Sequence, residues 1–136
     1  MNGDNLSQER HYLLMNSEIS ITVQRPTQLE KNQNCLVYVT VKDEDEGLSI
    51  AQKVVQKRLA ACANLYPKIK SVFIYQNQIQ TQDEAVLLLK TTLLAYDELE
   101  RFIIEIHSYD DPCVLKLPIE GGAADFMSWI REIVVI

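Results

Sequence analysis

The chain has 136 residues, enough for one domain with a real core and no covalent staples. Its composition, 47% hydrophobic and 24% charged, is ordinary for a globular protein, and a net charge of −6 excludes the concentrated basic surface that a nucleic-acid partner needs. No apolar run approaches the ~20 residues of a membrane span. The start, Met1-Asn2-Gly3-Asp4, lacks the basic end and apolar stretch of a signal peptide. Both readings point to a cytoplasmic protein with no membrane partner.

Residues 1–33 are polar and rich in Asn, Gln and Ser, with a brief alternation at Ile19, Ile21 and Val23. They read as an N-terminal extension, partly disordered or supplying an edge strand. The folded domain is expected over residues 34–136. It opens with Cys35-Leu36-Val37-Tyr38-Val39-Thr40-Val41, a β-branched and aromatic run of strand length. Asp43 to Glu46 follow, and acids there suit the positive end of a helix dipole. The alternative, a carboxylate metal site, is the weaker reading of that run. The helix itself is marked by Ala51, Val54, Val55 and Leu59 on one face, with Gln52, Lys53 and Gln56 opposite.

Two strands come next, Ala63 to Tyr75, interrupted near Pro67, and Ile79 to Thr91. Asn77, tolerant of positive φ, is the expected pivot of the hairpin between them. Leu99, Phe102, Ile103 and Ile106 then mark a second helix by i, i+3, i+4, i+7 spacing. Asp110-Asp111-Pro112 breaks the chain before a strand from Cys113 to Ile119. Gly121-Gly122 makes a turn, and a last amphipathic helix carries Phe126, Trp129, Ile130 and Ile133. The order β-α-β-β-α-β plus a terminal helix is the ferredoxin-like plan, an α+β sandwich.

That plan puts both crossover helices on one sheet face, so the other face should alternate to polar if it met water. It does not, since Val72-Phe73-Ile74-Tyr75 and Val86-Leu87-Leu88-Leu89 are apolar at successive positions. One terminal helix is too narrow to cover four strands, and an exposed apolar face of that size predicts self-association. Periodicity does not choose between dimer and trimer.

Several segments together resemble the CutA, or divalent-cation-tolerance, family. Arg58-Leu59-Ala60-Ala61-Cys62-Ala63-Asn64 is similar to its (R/K)LAAC(A/V)N stretch, and Leu89-Lys90-Thr91-Thr92 to its LKT(T/S) segment. His107-Ser108-Tyr109-Asp110-Asp111-Pro112 resembles its HxYxxP, Leu117-Pro118 its LP, and Asp125-Phe126-Met127-Ser128-Trp129 its DYLxWL. The likeness runs from about Cys35 to Ile133 in matching order and spacing. It implies a non-catalytic homotrimer, similar in assembly to the nitrogen-regulatory PII proteins. It also implies a role in tolerance of divalent cations, with Cu(II) bound in some relatives. This sequence departs from those relatives at two proposed copper ligands, a cysteine replaced by Val39 and a histidine by Ile106. Cys35, four residues earlier, is no residue-for-residue substitute. The hairpin also departs, with Phe73-Ile74-Tyr75 for a Tyr-x-Trp segment and Asn77 where glycine is usual.

The remaining metal candidates are His107, Cys113 and Asp110, with Asp111 beside them, since imidazole and thiolate suit copper or another divalent cation and carboxylate can complete a sphere. The competing reading is structural: His107 caps a helix C-terminus and the aspartates shape a turn. The three cysteines, Cys35, Cys62 and Cys113, are odd in number and lack CxxC spacing, so they read as free thiols in apolar runs. Lys90 and Glu84 stand charged on an apolar strand, and with Tyr75, Tyr109 and Trp129 they are candidates for a pocket between subunits. Lys90 and Glu84 read equally well as members of a salt bridge across the trimer, and Trp129 as core packing. No Gly-rich phosphate loop or nucleophile elbow suggests an enzyme, and no organic cofactor is expected. The alternative to a metal-tolerance role is a PII-like trimer that binds a small ligand or signals to a protein partner.

Overall fold

The computed structural model describes residues 33–135. The expected extension, apart from Gln33, lies outside them. The elements are β1 (Asn34–Val41), α1 (Glu44–Gln56), β2 (Cys62–Tyr75), β3 (Gln78–Thr92), α2 (Leu93–Ile106), β4 (Val114–Pro118) and α3 (Ala124–Ile133). They form a four-stranded antiparallel sheet of order β2-β3-β1-β4. This is the expected βαββαβ plan with its terminal helix.

Period-2 alternation decides the two faces of that sheet. In β1, Cys35, Val37, Val39 and Val41 are completely buried. They pair across to Thr91, Leu89, Leu87 and Ala85 of β3, also buried. Onto this face pack Ile50, Ala51 and Val54 of α1 and Tyr96, Leu99 and Ile103 of α2. The intervening residues, Leu36, Tyr38 and Thr40 with Lys90, Leu88 and Val86 opposite them, lie on the other face. Among the described residues, α3 is the helix that packs on this face, at the Asn34 end, where Asn34 Nδ2 donates to the Met127 carbonyl over 3.0 Å.

Local chemistry sets the ends of the helices. Asp43 caps α1 by accepting from the Glu46 N–H at 2.9 Å, and Thr92 caps α2 by accepting from the Ala95 N–H at 3.1 Å. The acidic run is therefore a helix start, as expected. At the other end of α1, the Leu59 N–H reaches the Val54 carbonyl and the Arg58 N–H the Val55 carbonyl. That is a Schellman closure, with Arg58 at φ 59° where glycine is usual. Leu59 is thus not on the helix face assigned from its spacing. It follows the helix and turns back into the core, 2% exposed.

The β2–β3 hairpin turns through Gln76 and Asn77, at φ 52° and 63°. Two positive φ angles in a two-residue loop match the twist of the flanking strands. β2 shifts register between Tyr66 and Ile69, around Pro67, as an edge strand permits. Beyond the last β1 pair, Val41 with Ala85, the hairpin continues alone from Ile69–Glu84 to Tyr75–Gln78. This two-stranded arm exposes Val72, Ile74, Tyr75 and Ile79 by 60–73%. The last strand is shorter than expected, because Cys113 and Ile119 fall outside its ladder with β1.

Gly47, in the first turn of α1, sets how closely that helix approaches the sheet. A Cβ there would lie 2.8 Å from Leu65 Cδ1 and 3.2 Å from Val41 Cγ2. Gly47→Val forces a branched side chain into that contact and should destabilise the subunit by about 1–3 kcal/mol. Urea unfolding with an unchanged midpoint would show that the helix can lift without loss.

Candidate functional site

The polar residues singled out in the sequence fall into two groups, at opposite ends of the open sheet face. The first surrounds the turn between α2 and β4. His107 ends α2, but its ring does not cap the helix. It folds back so that Nε2 donates to the Thr40 carbonyl over 2.8 Å, while Nδ1 accepts from the Tyr109 N–H at 3.0 Å. The side chain is fully buried, with Glu46 Oε2 3.9 Å from Nδ1. Both ring nitrogens are engaged, so ligating a metal here requires giving one bond up. Asp110 and Asp111 lie exposed on the turn and Cys113 is half-buried. Among the described residues, no three His, Cys, Asp or Glu side chains come together as a metal site.

From the same turn Tyr109 reaches across to β3. Its hydroxyl donates to Glu84 at 2.8 Å, and Ser71 Oγ donates to the other carboxylate oxygen at 2.6 Å. Gln82 Nε2 donates to the Tyr109 oxygen at 3.3 Å. Glu84 is only 9% exposed, and two hydroxyl donors meet the requirement that a buried carboxylate be hydrogen-bonded. Burial and the neighbouring Glu84 push the Tyr109 phenol up to about 12.

The second group surrounds Lys90. Its Nζ donates to Asn64 Oδ1 at 2.8 Å, with Cys62 Sγ at 3.8 Å. Nζ also lies 5.5 Å from the centre of the Phe126 ring, which leans on Trp129 at 5.4 Å. Trp129 is 37% exposed in the isolated subunit, and of the α3 residues only Ile130 is buried. Beside Lys90, between α3 and the sheet, lies a pocket of about 290 Å³. Lys90 and Glu84 share a face of β3 but stand on the order of 20 Å apart at ~3.3 Å of rise per residue. Within one subunit the five pocket candidates therefore split into Glu84 with Tyr109, Lys90 near Trp129, and Tyr75 out on the arm.

Cys35 is inert packing: burial, partly offset by Lys116, pushes its thiol up to about 12. Val39 is completely buried on the sheet face that the helices cover.

Glu46, read in the sequence only as one of the acids at the helix start, also ties that start to the α2–β4 turn. Its Oε1 accepts from the Lys42 N–H at 3.0 Å and its Oε2 from the Ser108 N–H at 2.8 Å. The Asp43-x-x-Glu46 spacing is that of a capping box, but Glu46 bonds the N–H of Lys42, one residue before the cap, and that of Ser108, distant in sequence.

Fold and site together define a class: a small ferredoxin-like subunit whose described residues cover one sheet face and leave the other largely open. The chain belongs to the CutA1 divalent ion tolerance protein family, whose model matches residues 35–133. It is 36% identical over 98 residues to the divalent-cation tolerance protein CutA of Archaeoglobus fulgidus, a match covering 72% of this chain and 95% of that one. It is 36% identical over 97 residues to the chloroplastic protein CutA of Arabidopsis thaliana, covering 71% of this chain but 53% of the plant protein. The chain thus spans about half the length of its plant relatives. The solved divalent cation tolerance protein of Thermus thermophilus superposes with a TM-score of 0.73 at 33% identity, over 75% of this chain and 99% of that one. The names of these relatives denote no catalysed reaction. The A. fulgidus structure is described as periplasmic and the plant relative as chloroplastic, so family membership fixes no compartment. Among the described residues no helix is long and apolar enough to cross a membrane.

Burial pushes the Glu46 carboxyl up, but the N–H donors of Lys42 and Ser108 and nearby His107 outweigh it and hold it below the ordinary carboxylate value. A carboxyl depressed on folding stabilises the native state above its unfolded value, ~4.3, and loses that contribution as pH falls through the folded one. Glu46→Gln should therefore be less stable than the parent at neutral pH, with the gap narrowing below about pH 4. Thermal melts that keep a constant gap from pH 7 to 3 would refute the assignment.

Proposed function

We propose that this chain acts in the cytoplasm as a non-catalytic homotrimer of divalent-cation tolerance, its ligand sites completed where subunits meet. The observation that carries the reading is the uncovered apolar surface. Tyr66, Leu115 and Leu117 on the open face, and Val72, Ile74 and Ile79 on the arm, are each 45–73% exposed in the isolated subunit. An unsupported two-stranded arm is marginal in water, and a neighbouring subunit supplies the missing cover. Family membership supports a closed ring of three.

Metal binding at His107, Asp110 and Cys113 belongs to this reading as a weak site. The soft thiolate and second imidazole are replaced by Val39 and Ile106, and the His107 nitrogens are already committed. The second reading, a PII-like trimer that binds a small ligand, is favoured by the apolar pocket beside Lys90.

Native mass spectrometry with and without Cu(II), cysteines kept reduced, tests assembly and metal together. The expected result is a trimer mass with weak, substoichiometric copper. A monomer at micromolar concentration would sink the assembly, and tight copper unaffected by His107→Ala would place the metal elsewhere.

Leu88 is half-buried at the centre of the open face, between Tyr38 and Asn64. Leu88→Asp should leave the subunit folded by circular dichroism yet break the assembly, since it sets an unpaired charge in an apolar interface. Unchanged sedimentation of the variant would remove this face from the interface.

A further inference from the structure

The pocket between α3 and the sheet has a specific chemistry. Leu36, Ile119, Phe126, Met127 and Ile130 line it with apolar surface, and Gly121-Gly122 add backbone without side chains. At about 290 Å³ it lies at the lower end of the ~300–1,000 Å³ typical of ligand pockets, too small to enclose a nucleotide. Lys90 places an ammonium in this apolar wall. Its neighbours, the Asn64 amide, the Cys62 thiol and the Phe126 ring, are all uncharged partners, and among the described residues no carboxylate lies within 4.0 Å of it. The start of α3 has no side-chain cap, but Asp125 in its first turn cancels that helix end as an anion site. The selecting charge is that of Lys90. A carboxylate brought here gains a charge-assisted hydrogen bond in partly desolvated surroundings.

We infer that the pocket binds a small monocarboxylate with a compact apolar body, the carboxylate on Lys90 Nζ and the body against Phe126 and Met127. This deepens the small-ligand reading and depends on it, but it does not depend on the trimer.

The test uses the full chain, phenylacetate as probe and the neutral isostere phenylacetamide as control. Met127 is the one methionine among the described residues, so methyl-labelled methionine gives a reporter inside the pocket, assigned with Met127→Leu. Phenylacetate should shift the Met127 methyl saturably and bind roughly tenfold more tightly than phenylacetamide. Lys90→Met should abolish that preference and Lys90→Arg retain it. Equal binding of acid and amide, or no Met127 shift with phenylacetate, overturns the inference. So does a preference that survives Lys90→Met. Should Lys90→Met fail to fold, the acid–amide comparison on the parent and Lys90→Arg decides. Sedimentation of the same samples separates the two readings. A monomer with acid-selective binding loses only the trimer. A trimer with a silent Met127, its pocket filled or Lys90 paired by a neighbouring copy, loses only this inference.

Discussion

The eight-residue strand β1 lies against β3 with Val37 beside Leu89 and Val39 beside Leu87, and all four side chains are wholly buried. Because strand side chains alternate strictly, that pairing also sends Leu36, Tyr38, Leu88 and Lys90 to the opposite face. A slip by one residue would bring Lys90 under α1 and α2 and strand an unpaired ammonium in the core. One register thus fixes both the core and the character of the open face. The helices fill the first, and α3 is long enough to cover only one end of the second.

The layers are tied together by a short chain of polar contacts. Glu46 at the start of α1 holds the Ser108 N–H, His107 is bonded to the Thr40 carbonyl of β1, and Tyr109 reaches Glu84 of β3. Each contact joins residues from 25 to 67 positions apart. They pin a turn that carries no regular structure of its own, and the contacts of His107 and Tyr109 are part-buried, so they also satisfy polar groups shielded from water. This gives His107 a positional role: its imidazole is spent on holding the turn between two elements. The same geometry explains why sequence neighbours such as Asp110 and Cys113 do not gather around it.

Much of the fold could be read from the chain because its signals are local. The β-branched run from Cys35, the acids before α1, the Asn in the hairpin and the helical spacing of Leu99 and Ile103 each reflect chemistry within a few residues. Left-handed turn residues without a glycine signal, and contacts between distant segments, were the ones that escaped. Nothing in Arg58-Leu59 announces a left-handed residue, since glycine is absent, and Gln76 is no turn former. Leu59 matched the helical period by accident of spacing and is buried through the chain reversal instead. Trp129 sits at core spacing on α3, but a face is core only where something covers it. For the site, sequence proximity suggested a metal cluster, and shared chemistry suggested one pocket. Within one subunit, ring orientation keeps the first from forming, and strand rise sets Glu84 and Lys90 far apart, as a pocket read between subunits allows.

The open face has a polarity that follows from β3 alone. Glu84 stands at the end from which the arm departs and Lys90 at the end under α3, with Val86 and Leu88 between them on the same face. The carboxylate is already satisfied by two hydroxyls, so it demands no cation, whereas the ammonium has only neutral neighbours. A salt bridge between copies would have to draw Glu84 away from Tyr109 and Ser71, exchanging two good hydrogen bonds for one ion pair at a desolvation cost. A carboxylate that arrives at Lys90 from outside the chain meets no such competition. The two ends of the open face thus differ in satisfaction: the Glu84 carboxylate has its hydrogen-bond partners, and the Lys90 ammonium has only neutral ones.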